Sequence, residues 1–287
     1  MSIAFDRTRP VGLLAGSGRF PVVFAHKARS VGLRVACVGL RGEADPALAG
    51  LCERFDWSGP ARLGRMIRLF KRAGVERVVM AGKVHKANIL HKPWKALTLL
   101  PDWRTVVWWY FRPRRDNRDD TLLLAVIDEF ARDGLVFDSA LNLCPELLVN
   151  AGPLTQRQPT AKEQADIAFG WALAKKMGEL DVGQSVMVRD RAVIAVEAIE
   201  GTDRAIQRAG EFCRAGGFVV VKVAKPQQDM RFDVPTVGTS TVETMHRAGG
   251  RVLAIEADKT ILLDAEQTLA LADRYGIAVV ALRGAGA

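Results

Sequence analysis

The run KPQQDMRFDVPTVG, residues 225–238, gathers two carboxylates, a lysine, an arginine and two glutamines around prolines 226 and 235. It follows FVVVKVA, the most strand-like run in the chain. A solvated turn needs only a few polar groups and a glycine, so this charge density points to something held there. If 229–233 is extended, residues two apart share a face, and Asp229, Arg231 and Asp233 line up. Two carboxylates on one face repel unless a cation lies between them. Arg231 supplies one such charge and a divalent ion another. Oxygen donors favour Mg2+, Mn2+ or Ca2+ over zinc. A second acidic group, Glu197, Glu200 and Asp203, lies in AVEAIEGTD. A structural cluster of ion pairs is the alternative for all of these acids.

At the other end of the chain, Gly16-Ser17-Gly18 stands between an apolar strand, Val11 to Ala15, and a helix begun near Pro21. Such a turn aims backbone N–H groups and a helix N-terminus at an anion, typically a phosphate. Packing alone is the other reason for glycine at a turn. It is not a full dinucleotide fingerprint, because Pro21 replaces the third glycine and Leu40-Arg41-Gly42 stands where an acid is expected. NAD is thereby disfavoured, while Arg41 keeps NADP open. Lys83 follows a third strand at its carboxyl end, where doubly wound sheets collect ligands, although a solvated loop lysine fits there too.

The elements that must position these residues follow from periodicity. RVACVGL (34–40) and VERVVMAG (75–82) read as strands, and ARLGRMIRLFKRAG between them is an amphipathic helix. Alternating strands and helices imply a parallel doubly wound sheet. The segment 83–118 breaks that alternation with nine Lys and Arg and four of the six tryptophans, Trp94, Trp103, Trp108 and Trp109. Rings and cations together suit an anionic membrane surface or single-stranded nucleic acid, and an aromatic helix pair packed as core is the third reading. A capped helix at 119–134 ends at Gly134. Residues 136–160, poor in helix signals, read as a connector.

The second half begins with a helix at 162–178 closed by Gly178. Two strands joined at Asp190-Arg191 follow, then a helix with Thr202 as N-cap and the strand FVVVKVA. A helix at 241–248, strands near 251–256 and 260–264, a helix at 265–275 and a last strand IAVVAL complete the chain. The expected class is α/β. A Rossmann-like nucleotide-binding domain (1–135) joins through the connector to a C-terminal α/β catalytic domain with a mixed sheet (161–287).

With 49% hydrophobic and 25% charged residues, the 287-residue composition is that of a globular protein. No run approaches the roughly 18 apolar residues of a spanning helix, and MSIAFDRTRPVGLLAG lacks the pattern of a signal peptide. Four cysteines and four histidines are scattered without metal-ligand spacing. A net charge of +9 favours nucleic acid, an anionic membrane or phosphorylated small molecules, or serves solubility alone.

GLLAGSGRFP, GWALAKKMGELDVGQSVMVRDRAVIAVEAIEGTD and VKVAKPQQDMRFDVPTVG resemble the UDP-2,3-diacylglucosamine pyrophosphatase family of lipid A biosynthesis, in the form that is not a metallophosphoesterase. The resemblance runs essentially end to end. It implies a cytoplasmic, Mg2+-dependent enzyme with two α/β domains, associated peripherally with the anionic inner membrane. It also implies hydrolysis of UDP-2,3-diacylglucosamine, held between the domains, to UMP and 2,3-diacylglucosamine 1-phosphate. On this resemblance Asp229 is the leading metal ligand or water-orienting carboxylate, with Asp233 and Glu200 as further metal candidates for Mg2+ or Mn2+. Lys225 and Arg231 neutralise charge developing on the pyrophosphate. Gly16, Ser17, Gly18, Lys83, Gln184, Gln228 and Thr239 bind phosphate, sugar or base. Nucleic acid is not expected as a partner, and a homodimer is left open. An NADP-dependent oxidoreductase and a nonenzymatic lipid- or nucleic-acid-binding protein are the alternatives.

Overall fold

The computed structural model describes residues 5, 7–84, 100–111 and 119–284. Two compact units divide the chain, 1–145 and 146–287.

In the first unit, strands β1 (Val11–Ala15), β2 (Val35–Leu40), β3 (Arg54–Ser58), β4 (Arg77–Ala81) and β5 (Val136–Asp138) form a parallel sheet of order β3-β2-β1-β4-β5. Strands β1 and β2 are buried at every residue, as the continuous apolar runs of a doubly wound sheet require. Helices α1 (Phe20–Ser30) and α2 (Leu63–Arg72) connect successive strands, and α2 buries Leu63, Met66, Ile67, Leu69 and Phe70. Edge strand β3, RFDWS, is half-buried and escapes a reading based on apolar runs.

The order reverses between β1 and β4, so their carboxyl ends flank the switch point where such sheets bind ligands. There the chain closes on itself. Gly16 N–H donates to Ala81 C=O (2.8 Å), while Ser17 and Lys83 exchange backbone hydrogen bonds (2.7 and 2.9 Å). Two of the turn's amides therefore tie β1 to β4.

Helices α3 (Trp103–Phe111) and α4 (Asp119–Ala131) follow. Asp102 serves two helix starts at once, accepting from Thr105 N–H (2.9 Å) and from Arg65 N–H (2.8 Å) in α2, which has no side-chain cap of its own. Arg104 ties α3 to α4 through Glu129 (2.7 Å) and Asp133. Of the tryptophan-rich segment, Trp94 and most of the basic residues lie outside the described residues. Trp103 and Tyr110 are 80% and 77% exposed, Trp109 is 44% exposed, and Trp108 is half-buried.

The expected connector is divided between the two units. Residues 136–138 pair with β4, whereas β6 (Gly152–Pro153) pairs with the last strand of the second sheet. Strands of two or three residues carry no periodicity to read.

In the second unit β6, β7 (Ser185–Arg189), β8 (Ala192–Val196), β9 (Phe218–Lys222), β11 (Gly250–Glu256) and β13 (Ala278–Leu282) form a mixed sheet of order β6-β13-β11-β9-β7-β8. A short parallel pair, β10 (Thr236–Val237) and β12 (Ile261–Leu262), stands apart. On one face α5 (Ala161–Glu179) packs Ile167, Trp171, Ala174 and Met177 against the valines of β7 and β9. On the other, α6 (Thr202–Phe212), α7 (Thr239–Ala248) and α8 (Ala265–Arg274) bury Ile206, Val242, Met245 and Ala272 against Phe218, Val220 and Leu253. The β7–β8 turn sets Asp190 and Arg191 at φ 55° and 58°, and buried Asp166 answers both of their N–H groups (3.0 and 2.6 Å). Thr202, expected as N-cap of α6, lies one residue inside the helix, with Gly201 (φ 84°) at the cap.

Gly16 permits the closure at the switch point, since a Cβ there would meet Lys83 O at 2.5 Å. Gly16→Ala should destabilise the first unit by about 1–3 kcal/mol, the usual cost of overpacking, visible as an earlier thermal or urea transition. A transition unchanged from wild type would show that the two strand ends separate without cost.

Candidate active site

Because β9 and β11 run parallel, their carboxyl ends share one edge of the second sheet, and antiparallel β7 starts there, with Ser185 opposite Lys222. Each parallel strand ends an apolar run on a charged residue, VVV before Lys222 and VLAI before Glu256, and both of those side chains are buried. A buried charge must be paired or hydrogen-bonded. The partners of these two define the edge.

Glu256 Oε2 accepts from Lys175 Nζ of α5 (2.6 Å) and from the backbone N–H of Ala224 (2.8 Å), while Oε1 pairs with Lys259 (3.0 Å). Desolvation pushes its pKa up, but Lys175, Lys259 and the Ala224 N–H outweigh that and hold it below the ordinary glutamate value. Lys222 Nζ donates to Thr202 Oγ1 (2.9 Å) and to Thr236 C=O (3.2 Å). The Thr202 hydroxyl donates on to Glu197 Oε1 (2.9 Å). Glu197 is buried, and its Oε2 has no hydrogen-bond partner among the described residues.

Between these anchors runs the loop 223–235. Its start rests on α5, which continues through Gly178 to Glu179 instead of closing at Gly178. A Cβ on Gly178 would stand 3.2 Å from Lys225 Cα, and Gly178 C=O accepts from Gln227 Nε2 (3.1 Å). Lys225 reaches Asp181 (2.6 Å), and both side chains are nearly buried. Gln228 Oε1 accepts from Lys225 N–H (2.8 Å), leaving Gln228 Nε2 buried without a partner among the described residues. Gln184 is close by in the fold, since its carbonyl accepts from Val223 N–H (3.0 Å), and its Oε1 is likewise an orphan.

Residues 229–233 are not extended. Phe232 and Asp233 N–H groups both donate to Asp229 C=O (3.2 and 3.0 Å), which makes a single helical turn. Asp229 and Asp233 therefore sit one turn apart, and Arg231 folds back on Asp229 instead of standing between two carboxylates. Its Nε and Nη2 grip the carboxylate (3.0 and 2.6 Å), and its backbone N–H adds a third donor (3.0 Å). The side-chain contact with Arg231, against some desolvation, lowers the Asp229 pKa below the ordinary aspartate value. The carboxylate is ionised, oriented and 24% exposed.

The remaining candidates fall elsewhere in their units. Glu200 is taken by Arg208 (2.6 Å) and Ala198 N–H (3.2 Å). Asp203 accepts from Ser240 and Thr241 (3.2 and 3.3 Å), which joins the N-termini of α6 and α7, neither of which has a side-chain cap. Thr239 opens α7 directly beyond the loop. In the first unit Gly16, Ser17, Gly18 and Lys83 are together at the switch point, where Ser17 Oγ bonds Lys83 C=O (2.9 Å) and the Lys83 side chain is exposed. Among the described residues no three Asp, Glu, His or Cys side chains gather into a metal-binding group. Asp229 and Asp233 offer the oxygen donors a hard cation takes. Glu200 does not join them.

Glu256, Lys222, Lys175 and Asp181 support this loop and were not singled out from the sequence, and Thr202 was singled out only as a helix cap. A signal existed for the first two: each charge directly follows a run of at least three apolar strand residues.

The model of the LpxI N-terminal domain matches residues 10–147, and that of the LpxI C-terminal domain matches residues 150–280. A protein of Caulobacter vibrioides, named UDP-2,3-diacylglucosamine pyrophosphatase LpxI, is 31% identical over 285 residues. That likeness covers 95% of this chain and 97% of the relative.

The depressed pKa of Glu256 fixes the sign of an acid effect. Its contribution to stability is complete above about pH 4.3, the unfolded glutamate value, and is lost as pH falls through the lower folded value. Wild type should therefore lose thermal stability below about pH 4.3 more steeply than Glu256→Gln. Parallel pH profiles for the two proteins would remove Glu256 from the balance.

Proposed function

Since the chain belongs to the LpxI family, we propose that it hydrolyses the pyrophosphate of UDP-2,3-diacylglucosamine, giving UMP and 2,3-diacylglucosamine 1-phosphate in lipid A synthesis. The observation that carries this reading is the likeness, across 95% of the chain, to a relative named for that activity. The anchored loop of the second unit supports it.

In the proposed reaction water adds its oxygen to one phosphorus and releases a proton to solvent, the bridging P–O bond breaks, and the leaving phosphate takes the electron pair. Asp229 is ionised at neutral pH and fixed by a bidentate arginine, so it orients the attacking water through charge and geometry. With a lowered pKa it is a weak base, and orientation is its larger contribution. Arg231 and Lys225 already hold carboxylates. They stabilise charge developing on phosphate oxygens when the substrate shares them with Asp229 and Asp181. The orphaned Gln184 Oε1 and Gln228 Nε2 offer an acceptor and a donor for sugar or base, and Thr239 offers a hydroxyl at an uncapped helix start. The turn at Gly16–Gly18 with Lys83 would take phosphate or nucleotide. Asp229 and Asp233 would hold Mg2+ or Mn2+, which when bound polarises a phosphoryl oxygen.

An anionic membrane surface is part of the same reading, because the substrate carries two acyl chains. No described helix is long and apolar enough to cross a membrane. The exposed rings of Trp103, Trp109 and Tyr110 suit the headgroup region, where aromatic side chains with a polar tip bind best, and the +9 charge favours anionic lipid.

Asp229→Ala should fold normally and release UMP with kcat lower by at least ~10²-fold, the scale of losing one key electrostatic group. In the same assay EDTA should stop wild type, and Mg2+ or Mn2+ should restore it. An Asp229→Ala enzyme with near-normal kcat would move the role to Asp233, and activity in both single variants would make the loop structural.

On liposomes, wild type should sediment with phosphatidylglycerol vesicles and detach as salt rises. Trp103→Ala/Tyr110→Ala should sediment at least several-fold less, since each exposed ring contributes apolar area at the interface. Equal sedimentation of the two proteins would take these rings out of membrane contact.

A further inference from the structure

The loop that carries Asp229 leaves the sheet at β9 and returns at β10, and one buried ammonium touches both ends of that excursion. Lys222 is the last residue of β9 and is 2% exposed. It donates to the carbonyl of Thr236, fourteen residues further along the chain, where β10 begins. It also donates to Thr202 Oγ1, one residue into α6. A hydroxyl has one proton, so Thr202, accepting from Lys222, directs that proton to Glu197 Oε1. Ser185 Oγ completes the group at 3.4 Å. The Thr202 hydroxyl thus relays between the Lys222 ammonium and the Glu197 carboxylate.

Apolar side chains in place of Lys222 and Glu197 together need not cost stability, because replacing a whole buried charge pair by packed hydrophobic groups is often neutral or favourable. What the ammonium adds is directional: it ties the return of the loop to the strand from which the loop departs. Glu256 acts in the same sense at the near end, fixing Ala224 N–H. The pairing of Thr236 with Ile261 sets the far end against β12, Val237 packs that end into the core, and Lys222 adds a hydrogen bond from it to the central sheet.

We propose that Lys222, relayed through Thr202 to Glu197, is a positioning residue that holds the Asp229 loop in its working geometry. This rests on the pyrophosphatase reading of that loop. Lys222 itself is enclosed and touches no substrate. Its removal therefore acts on the step that needs Asp229 in register, more than on binding.

The test is Lys222→Met, assayed for UMP release from UDP-2,3-diacylglucosamine and, on the same protein, for amide hydrogen exchange. The expected result is a kcat lower by at least ~10-fold with KM within about 3-fold, the split of an interaction realised in the transition state. Exchange across 224–235 should quicken by at least ~10-fold while β9 and β11 keep their protection, the mark of a local opening. A kcat within about 2-fold of wild type, or unchanged exchange in 224–235, overturns the proposal. If Lys222→Met does not fold, Lys222→Met/Glu197→Gln removes both charges and is judged by the same two measurements. Should wild type itself release no UMP, the reading of the reaction fails, and exchange alone still decides whether Lys222 holds the loop.

Discussion

A charge buried at the end of an apolar strand must find partners, and in the second unit the partners it finds are the loop. Glu256 cannot be left bare beneath α5, so it draws in Lys175, Lys259 and the N–H of Ala224. The last of these is a backbone atom at the first turn away from β9. Lys222 meets the same constraint with Thr202 and the carbonyl of Thr236. Satisfying two buried charges therefore fixes where the excursion between β9 and β10 begins and where it ends.

The same economy governs the loop's interior. Asp229 is held by three donors from Arg231, so its carboxylate is oriented within the loop, while the ends of the loop are set by the sheet. Lys225 and Asp181 neutralise one another where the loop crosses the end of α5, and Gly178 clears the space for that crossing. A carboxylate held this way keeps its charge and direction, and for the proposed reaction that leaves little reorganisation to be done. Among the described residues, buried polar atoms of Gln184, Gln228 and Glu197 have no hydrogen-bond partner.

The first unit solves a different problem with the same means. Its switch point is closed by backbone pairing between Ser17 and Lys83, which consumes amides that a glycine turn could otherwise offer to a phosphate. Lys83 keeps its side chain exposed and available to an anion. The turn is thus a joint between β1 and β4 as well as a candidate binding site.

The fold class was legible because burial on both faces of a parallel sheet writes itself as uninterrupted apolar runs. VGLLA, VACVGL and FVVVK each became the strand expected of it, and the charged run after β9 was recognisable as the place to look for chemistry. Strand β3 and the division of 136–160 were not legible, because edge strands and two-residue pairings leave no periodic trace. The site was half legible. Residue type alone singled out Asp229 and Arg231, but their contact depends on a turn at 229–233 that spacing by twos had assigned to an extended chain. That Glu200 goes to Arg208, that Thr202 turns from capping to a relay, and that Glu256 reaches Ala224 were decided by tertiary structure alone. Local sequence sets which backbone conformations are cheap. Which donor answers a buried charge depends on groups brought together from 32 residues away, as between Ala224 and Glu256, and only the folded sheet brings them within reach.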